Sequence, residues 1–406
     1  MLAHLVNTNG SDLHVGSGTP PRVRVDSDLK PIPFPPVTHE DIAAMLKQIL
    51  PVDRLAEFDK TGEADFSVFI EGVGRFRGNA CRQRGTAAVV LRRVLPNAAT
   101  AGQLGLPPVV TKLAEEHRGL ILVTGPTGSG KTTTLAAMID HINSTRACKV
   151  VTMEDPIEVV HSDKRSIIWQ REIGTDTENY VQAMRRVLRQ DPDVILIGEM
   201  RDAETVEAAL SAAETGHLVL STLHTTNATE TINRVIDFFP SYQQHQVRLT
   251  LAGALKGVIS QRLVPLADGR GRVAAIEAMV VTGRIADRIV DPDSPGETIE
   301  EQIANGDYHG MRTFDQSLLE LLAQGRITLQ TAMSAASNRH DLAVALQTAG
   351  VLRPVRPGEG TEVSPVGRGP VAPAGPAPAP GRPTVAAVGG PAAAAAPAAG
   401  RPVGQG

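Results

Sequence analysis

Residues 125–132 read Gly125-Pro126-Thr127-Gly128-Ser129-Gly130-Lys131-Thr132. They fit the pattern G-x-x-x-x-G-K-[ST] at every fixed position. Glycines let the backbone turn so that successive N–H groups point inward, at the oxygens of a phosphate. The apolar run Leu120-Ile121-Leu122-Val123 enters the loop, and a helical pattern leaves it through Leu135, Met138, Ile139 and Ile142. A strand before and a helix after separate a phosphate loop from a glycine-rich turn that matches by chance. The helix N-terminus adds the positive end of its dipole. Lys131 is expected at the β- and γ-phosphates of ATP, and the Thr132 hydroxyl at Mg²⁺, with Thr133 beside them.

Outward from the loop, apolar runs recur at Lys149–Met153, Val194–Ile197 and Leu218–Thr222, separated by helical stretches. That alternation predicts an α/β fold with a parallel sheet covered by helices. Nucleotide chemistry needs carboxylates at the ends of neighbouring strands. Val194-Ile195-Leu196-Ile197-Gly198-Glu199 delivers Glu199 there. Glu154-Asp155-Pro156-Ile157-Glu158 delivers Glu154, with Pro156 expected at the start of a helix. Both carboxylates are candidate metal neighbours as well as catalytic groups. His217 and His224 bracket the third run. A lone histidine at a strand end is ordinarily satisfied structurally. A pair flanking one strand of a nucleotide-binding sheet reads as a γ-phosphate sensor.

The rest of the 406 residues sets bounds. Forty basic against 44 acidic residues and 3% aromatics argue against a chain that mainly wraps nucleic acid. Two cysteines, Cys81 and Cys148, cannot build a disulfide framework or a four-cysteine zinc module. No apolar run reaches the roughly 18 residues of a membrane span, and Met1–Gly10 does not read as a secretion signal. Residues 1–98 read as a smaller α+β domain, with helical spacing over Asp41–Phe58. Strands follow at Asp65–Ile70 and Arg75–Arg84, joined by a turn at Glu71–Gly74, with a further apolar run at Ala87–Leu95. Residues 99–112 read as a linker, 113–283 as the nucleotide-binding core and 284–350 as a helical region. Residues 351–406, built from Pro, Ala, Gly and Val, read as a disordered tail.

Together these pieces resemble the secretion ATPase superfamily, and within it the retraction ATPases of type IV pili. The matching stretches, in order, include Gly10-Ser11-Asp12-Leu13-His14, Gly74-Arg75-Phe76-Arg77, the phosphate loop, Glu154–Glu158, Gly198-Glu199-Met200-Arg201-Asp202, Thr215-Gly216-His217-Leu218, Thr222-Leu223-His224-Thr225 and Met311–Leu318. The resemblance implies a PAS-like N-terminal domain followed by a RecA-like P-loop ATPase domain, assembled as a homohexamer. It implies Glu199 as general base in a Walker B variant, Glu154 close to Mg²⁺ and water, and His217 and His224 in a His box. It also implies N-terminal arginines at the nucleotide. Arg75 and Arg77 sit at strand spacing, so both face one side while Phe76 faces the other, and with Arg92 they are the candidates. One departure stands out. The family motif Ala-Ile-Arg-Asn-Leu-Ile-Arg-Glu corresponds to Arg284-Ile285-Ala286-Asp287-Arg288-Ile289-Val290-Asp291, where Ala286 and Val290 replace both arginines.

The function so implied is a cytoplasmic hexameric motor, peripheral at the membrane through an inner-membrane pilus platform protein, which removes pilin and drives twitching motility. A pilus-assembly or type II secretion ATPase is the alternative, disfavoured by the cysteine count. A RecA-like nucleic-acid translocase is disfavoured by the charge balance.

Overall fold

The structure, a computed structural model, describes residues 1–25 and 28–348. The tail expected over 351–406 lies outside the described residues.

Six antiparallel strands build the N-terminal sheet: β1 (Asp12–Gly16), β2 (Arg22–Val25), β3 (Asp28–Pro31), β4 (Glu63–Ile70), β5 (Gly74–Gln83) and β6 (Thr86–Arg93). Their order is β3-β2-β1-β6-β5-β4. Two helices, His39–Ile49 and Val52–Thr61, connect β3 to β4 and share one apolar core with the sheet. This is the PAS-like arrangement. The helical spacing read over Asp41–Phe58 is carried by these two helices, divided at Pro51, which pushes Leu50 into extended backbone (φ −86°, ψ 136°). Phe76 is fully buried while Arg75 and Arg77 face outward, as period-two alternation requires.

The second sheet has seven strands: β7 (Gly119–Thr124), β8 (Lys149–Glu154), β9 (Ile167–Glu172), β10 (Val194–Ile197), β11 (Leu218–Leu223), β12 (Leu255–Pro265) and β13 (Arg272–Val280). The order is β9-β8-β10-β11-β7-β12-β13, parallel throughout except for β13, which runs antiparallel to β12. Strands β7, β10 and β11 are buried along their whole length, which is why they read as unbroken apolar runs. Alternate residues feed opposite faces. Leu120 and Leu122 join Ile195, Ile197 and the helices after β9, β10 and β11. Ile121 and Val123 join Leu220, Ile259 and the helices Pro108–Ala114 and Lys131–Thr145. This is a RecA-like α/β core, and its parallel strands bring the ends of β7, β8, β10 and β11 to one edge.

Between the sheets, Leu95–Pro96 pairs in parallel with Val159–Val160. Pro156 therefore starts no helix: the chain leaves Glu154 for this short ladder, which pairs the backbone of the connecting segment. The stretch expected as a linker holds its own short helix, Ala101–Leu104, closed by a Thr100–Gln103 capping box. Among the described residues no helix is long and apolar enough to cross a membrane.

Candidate nucleotide site

Gly125, Gly128 and Gly130 have φ of +143°, +78° and +93°, a region in which side chains are strained. At Gly125 a Cβ would also stand 2.3 Å from the Gln261 carbonyl oxygen. The helix Lys131–Thr145 starts directly from this loop with no side-chain cap, so its first amides are available to an anion. The Ser129 hydroxyl is buried and has no hydrogen-bond partner. Lys131 lies folded over the loop, donating to the carbonyls of Gly125 (2.8 Å) and Pro126 (3.2 Å). Burial lowers its ammonium pKa, opposed by Glu199 and Glu158. Uncapped amides, an unpartnered hydroxyl and a half-buried ammonium fit a polyphosphate.

A cavity of ≈ 460 Å³ opens over this loop. Of the expected residues, Thr127, Gly128, Gly130, Lys131, Thr132, Thr133, Glu154, Glu199 and His224 line it; Gly125, Pro126 and Ser129 complete the loop behind. Glu199 receives His224 Nε2 on Oε1 (3.1 Å) and Arg201 on Oε2, from Nε at 3.0 Å and Nη2 at 2.9 Å. Glu154 is buried, and burial raises its pKa. Its Oε1 accepts from Thr152 Oγ1 (2.6 Å) and Gln170 Nε2 (3.1 Å). Among the described residues no three acidic, histidine or cysteine side chains cluster as a metal cage. Thr132, Glu199 and Glu154 are therefore a partial set, suited to an ion that takes its other ligands from phosphate and water.

His217 is placed elsewhere. It stands at the opposite end of β11 from His224, about 20 Å away at strand rise, with Nδ1 against the Ala212 carbonyl (3.0 Å). Bracketing a strand separates two residues by the strand's length, so His217 cannot share the cavity with His224. The three arginines also lie outside this protomer's cavity. Arg75 Nη2 bonds Glu172 Oε2 at the end of β9 (2.9 Å), and Arg92 Nε bonds Asp12 Oδ1 (2.7 Å). Arg77 lines a smaller cleft with Asp155, Pro156 and Glu172.

Three contributors escaped sequence reasoning. Gln261, on β12, donates from Nε2 to the Ser129 carbonyl (2.7 Å) and accepts from Thr134 Oγ1 (2.7 Å), bracing the phosphate loop. Tyr180 lines the cavity. Its hydroxyl would stand 2.8 Å from a Cβ at Gly198, so glycine there admits the ring. Arg272 enters from β13. No local pattern marked them; only the sheet order brings them in.

The fold and this site define a RecA-like nucleotide-binding protein. The chain belongs to the type II/IV secretion system protein family, whose model matches residues 1–349. It is 44% identical over 332 residues to the type IV pilus retraction ATPase PilT of Pseudomonas aeruginosa, covering 82% of this chain and 96% of that one. It is 40% identical over 337 residues to a twitching motility protein of Neisseria gonorrhoeae, covering 83% and 89%. The crystal structure of the pilus retraction motor PilT with bound ADP superposes with a TM-score of 0.76 at 44% identity, covering 84% of this chain and 97% of that one.

Proposed function

We propose that this chain is an ATP-hydrolysing motor, working as a homohexamer, that powers type IV pilus retraction. The observation that carries the reading is one edge of one sheet holding the phosphate loop, Glu154, Glu199 and His224 around a single cavity, in a chain 44% identical to a retraction ATPase over most of both lengths.

Each residue then has a task. The loop amides and the first turn of the helix hold the β- and γ-phosphates, and Lys131 exchanges its two loop carbonyls for phosphate oxygens. Glu199, held at both oxygens by His224 and Arg201, orients the attacking water and accepts its proton. Glu154 presents a second carboxylate to the same water. When bound, Mg²⁺ at Thr132 neutralises charge on the phosphates. Arg75, Arg77 and Arg92 lie away from their own protomer's cavity, so a nucleotide contact from them is read as a contribution to the neighbouring subunit's site.

The altered motif stretch is a helix, Gly283–Val290, with Ile285 and Ile289 fully buried. Ala286 and Val290 are partly exposed on it. The packing face is kept, and the replaced arginines fall on the flank that a partner can reach. The pilus platform protein is the partner this reading assigns to the motor. Purified full-length chain tests the enzymatic half: it should release phosphate from ATP only with Mg²⁺. Nucleotide binding without turnover would reduce the protein to a regulatory binding module.

A further inference from the structure

Gln170 has entered the site so far only as a donor to Glu154, yet its side-chain amide makes three hydrogen bonds beside the cavity. It sits on β9 in register with Thr152 on β8. Thr152 and Glu154 lie two residues apart on β8, so all three side chains share one face of the sheet. The backbone N–H of His161 reaches Gln170 Oε1 at 2.8 Å. A backbone N–H can only donate, which fixes the amide's orientation. Its Nε2 then points the other way, to Glu154 Oε1 (3.1 Å) and the Val159 carbonyl (2.9 Å). Thr152 Oγ1 donates to that same carboxylate oxygen (2.6 Å). Two donors on Oε1 restrain the Glu154 side chain, which lines the cavity, and both leave Oε2 untouched.

We infer that Gln170 is a positioning residue for ATP turnover, aiming Glu154 Oε2 at the reacting water. The inference rests on the ATPase reading above. Holding a catalytic group within a fraction of an ångström is worth orders of magnitude in rate, and loss of such an orienting partner typically costs about 10- to 100-fold. Nucleotide affinity comes instead from the phosphate loop, which Gln170 does not touch. The same amide also binds Val159 and His161, so a purely structural role as a strand anchor is the competing explanation, and it makes a different prediction.

The test uses the full-length chain, ADP binding, steady-state ATPase kinetics and thermal melting. Gln170→Met removes the donors at nearly constant volume. Gln170→Glu keeps the acceptor for His161 but places a second carboxylate where the donor was, so it remains informative if the first variant folds poorly. Thr152→Val removes the other donor to Oε1. The expected result is a fall in kcat of about tenfold or more for both Gln170 variants. A smaller fall in the same direction is expected for Thr152→Val, with ADP affinity and KM within about twofold of wild type and the melting temperature preserved. Wild-type kcat in either folded Gln170 variant overturns the inference. So does joint loss of melting temperature and ADP affinity, which marks a strand anchor. A wild-type chain without turnover sinks the ATPase reading itself, whereas an active wild type with unaffected variants sinks only this proposal.

Discussion

Single residues at the cavity differ in what they contribute, and substitution separates them. Lys131 is a cation folded onto the phosphate loop carbonyls of Gly125 and Pro126. Lys131→Ala is expected to weaken ATP binding by an order of magnitude or more, about 1.4 kcal/mol per tenfold, as read by equilibrium titration. Glu199→Gln keeps the shape but cannot take a proton. ATP should still bind while turnover drops by about 100-fold or more, and wild-type turnover in this variant removes Glu199 as the base. Away from the cavity, burial pushes the pKa of Glu277 on β13 from 4.5 up to about 7, although the Ala228 amide donates to it at 2.8 Å. Below pH 4.5 both folded and unfolded chains hold this proton. As pH rises toward 7 the unfolded chain has released it and the folded chain still binds it, so stability falls across that window. Roughly 3 kcal/mol is lost, at about 1.4 kcal/mol per pH unit. Glu277→Gln should flatten that component. Melting curves of wild type and variant between pH 5 and 8 should converge at the acidic end and diverge at the basic end, with the variant higher; parallel curves count against it.

At the scale of elements, the phosphate loop is held by a strand far from it in sequence. Gln261 on β12 ties the Ser129 carbonyl to Thr134 across the loop's exit. Gln261→Leu strands the Thr134 hydroxyl and frees the loop. It should lower ATP affinity more than it lowers the turnover of saturated enzyme, a split that kcat and KM measure directly. Gly198→Ala places a methyl 2.8 Å from the Tyr180 hydroxyl and 3.2 Å from the Met153 carbonyl, beside Glu199. Turnover should fall with little change in melting temperature. These elements also show what could be read in advance. The loop and strands β7, β10 and β11 were legible because burial on both faces leaves continuous apolar runs. Strand β9 was not, because an edge strand keeps Ile167 and Trp169 half-exposed and mixes them with Gln170 and Arg171. The β12–β13 hairpin, and with it Gln261, carried no local mark of its partnership with β7. His217 was misplaced because a motif gives adjacency along the chain, whereas the cavity collects only one end of each strand.

For the whole molecule, a nucleotide contact from the N-terminal arginines calls for more than one protomer, because they lie outside their own cavity. Arg75 is tied to Glu172, whose Oε2 also accepts the Ile157 amide (3.1 Å), so the N-terminal domain grips the segment that follows Glu154. Arg77 lies nearby without entering its own cavity. If the neighbouring subunit supplies arginine, rings mixed from Arg77→Ala and Lys131→Ala subunits, each inactive alone, regain part of the ATPase activity. Mixed rings that stay inactive contradict a shared site. Such sharing would let hydrolysis change the angle between domains around the ring, the motion a rotary motor requires. The central claim, retraction, is tested most directly by deleting the gene and counting surface pili by electron microscopy, with complementation by wild type and by Glu199→Gln. A retraction motor leaves excess pili with lost twitching, restored by wild type and not by Glu199→Gln; bald cells, or cells that still twitch with normal pili, would rule retraction out.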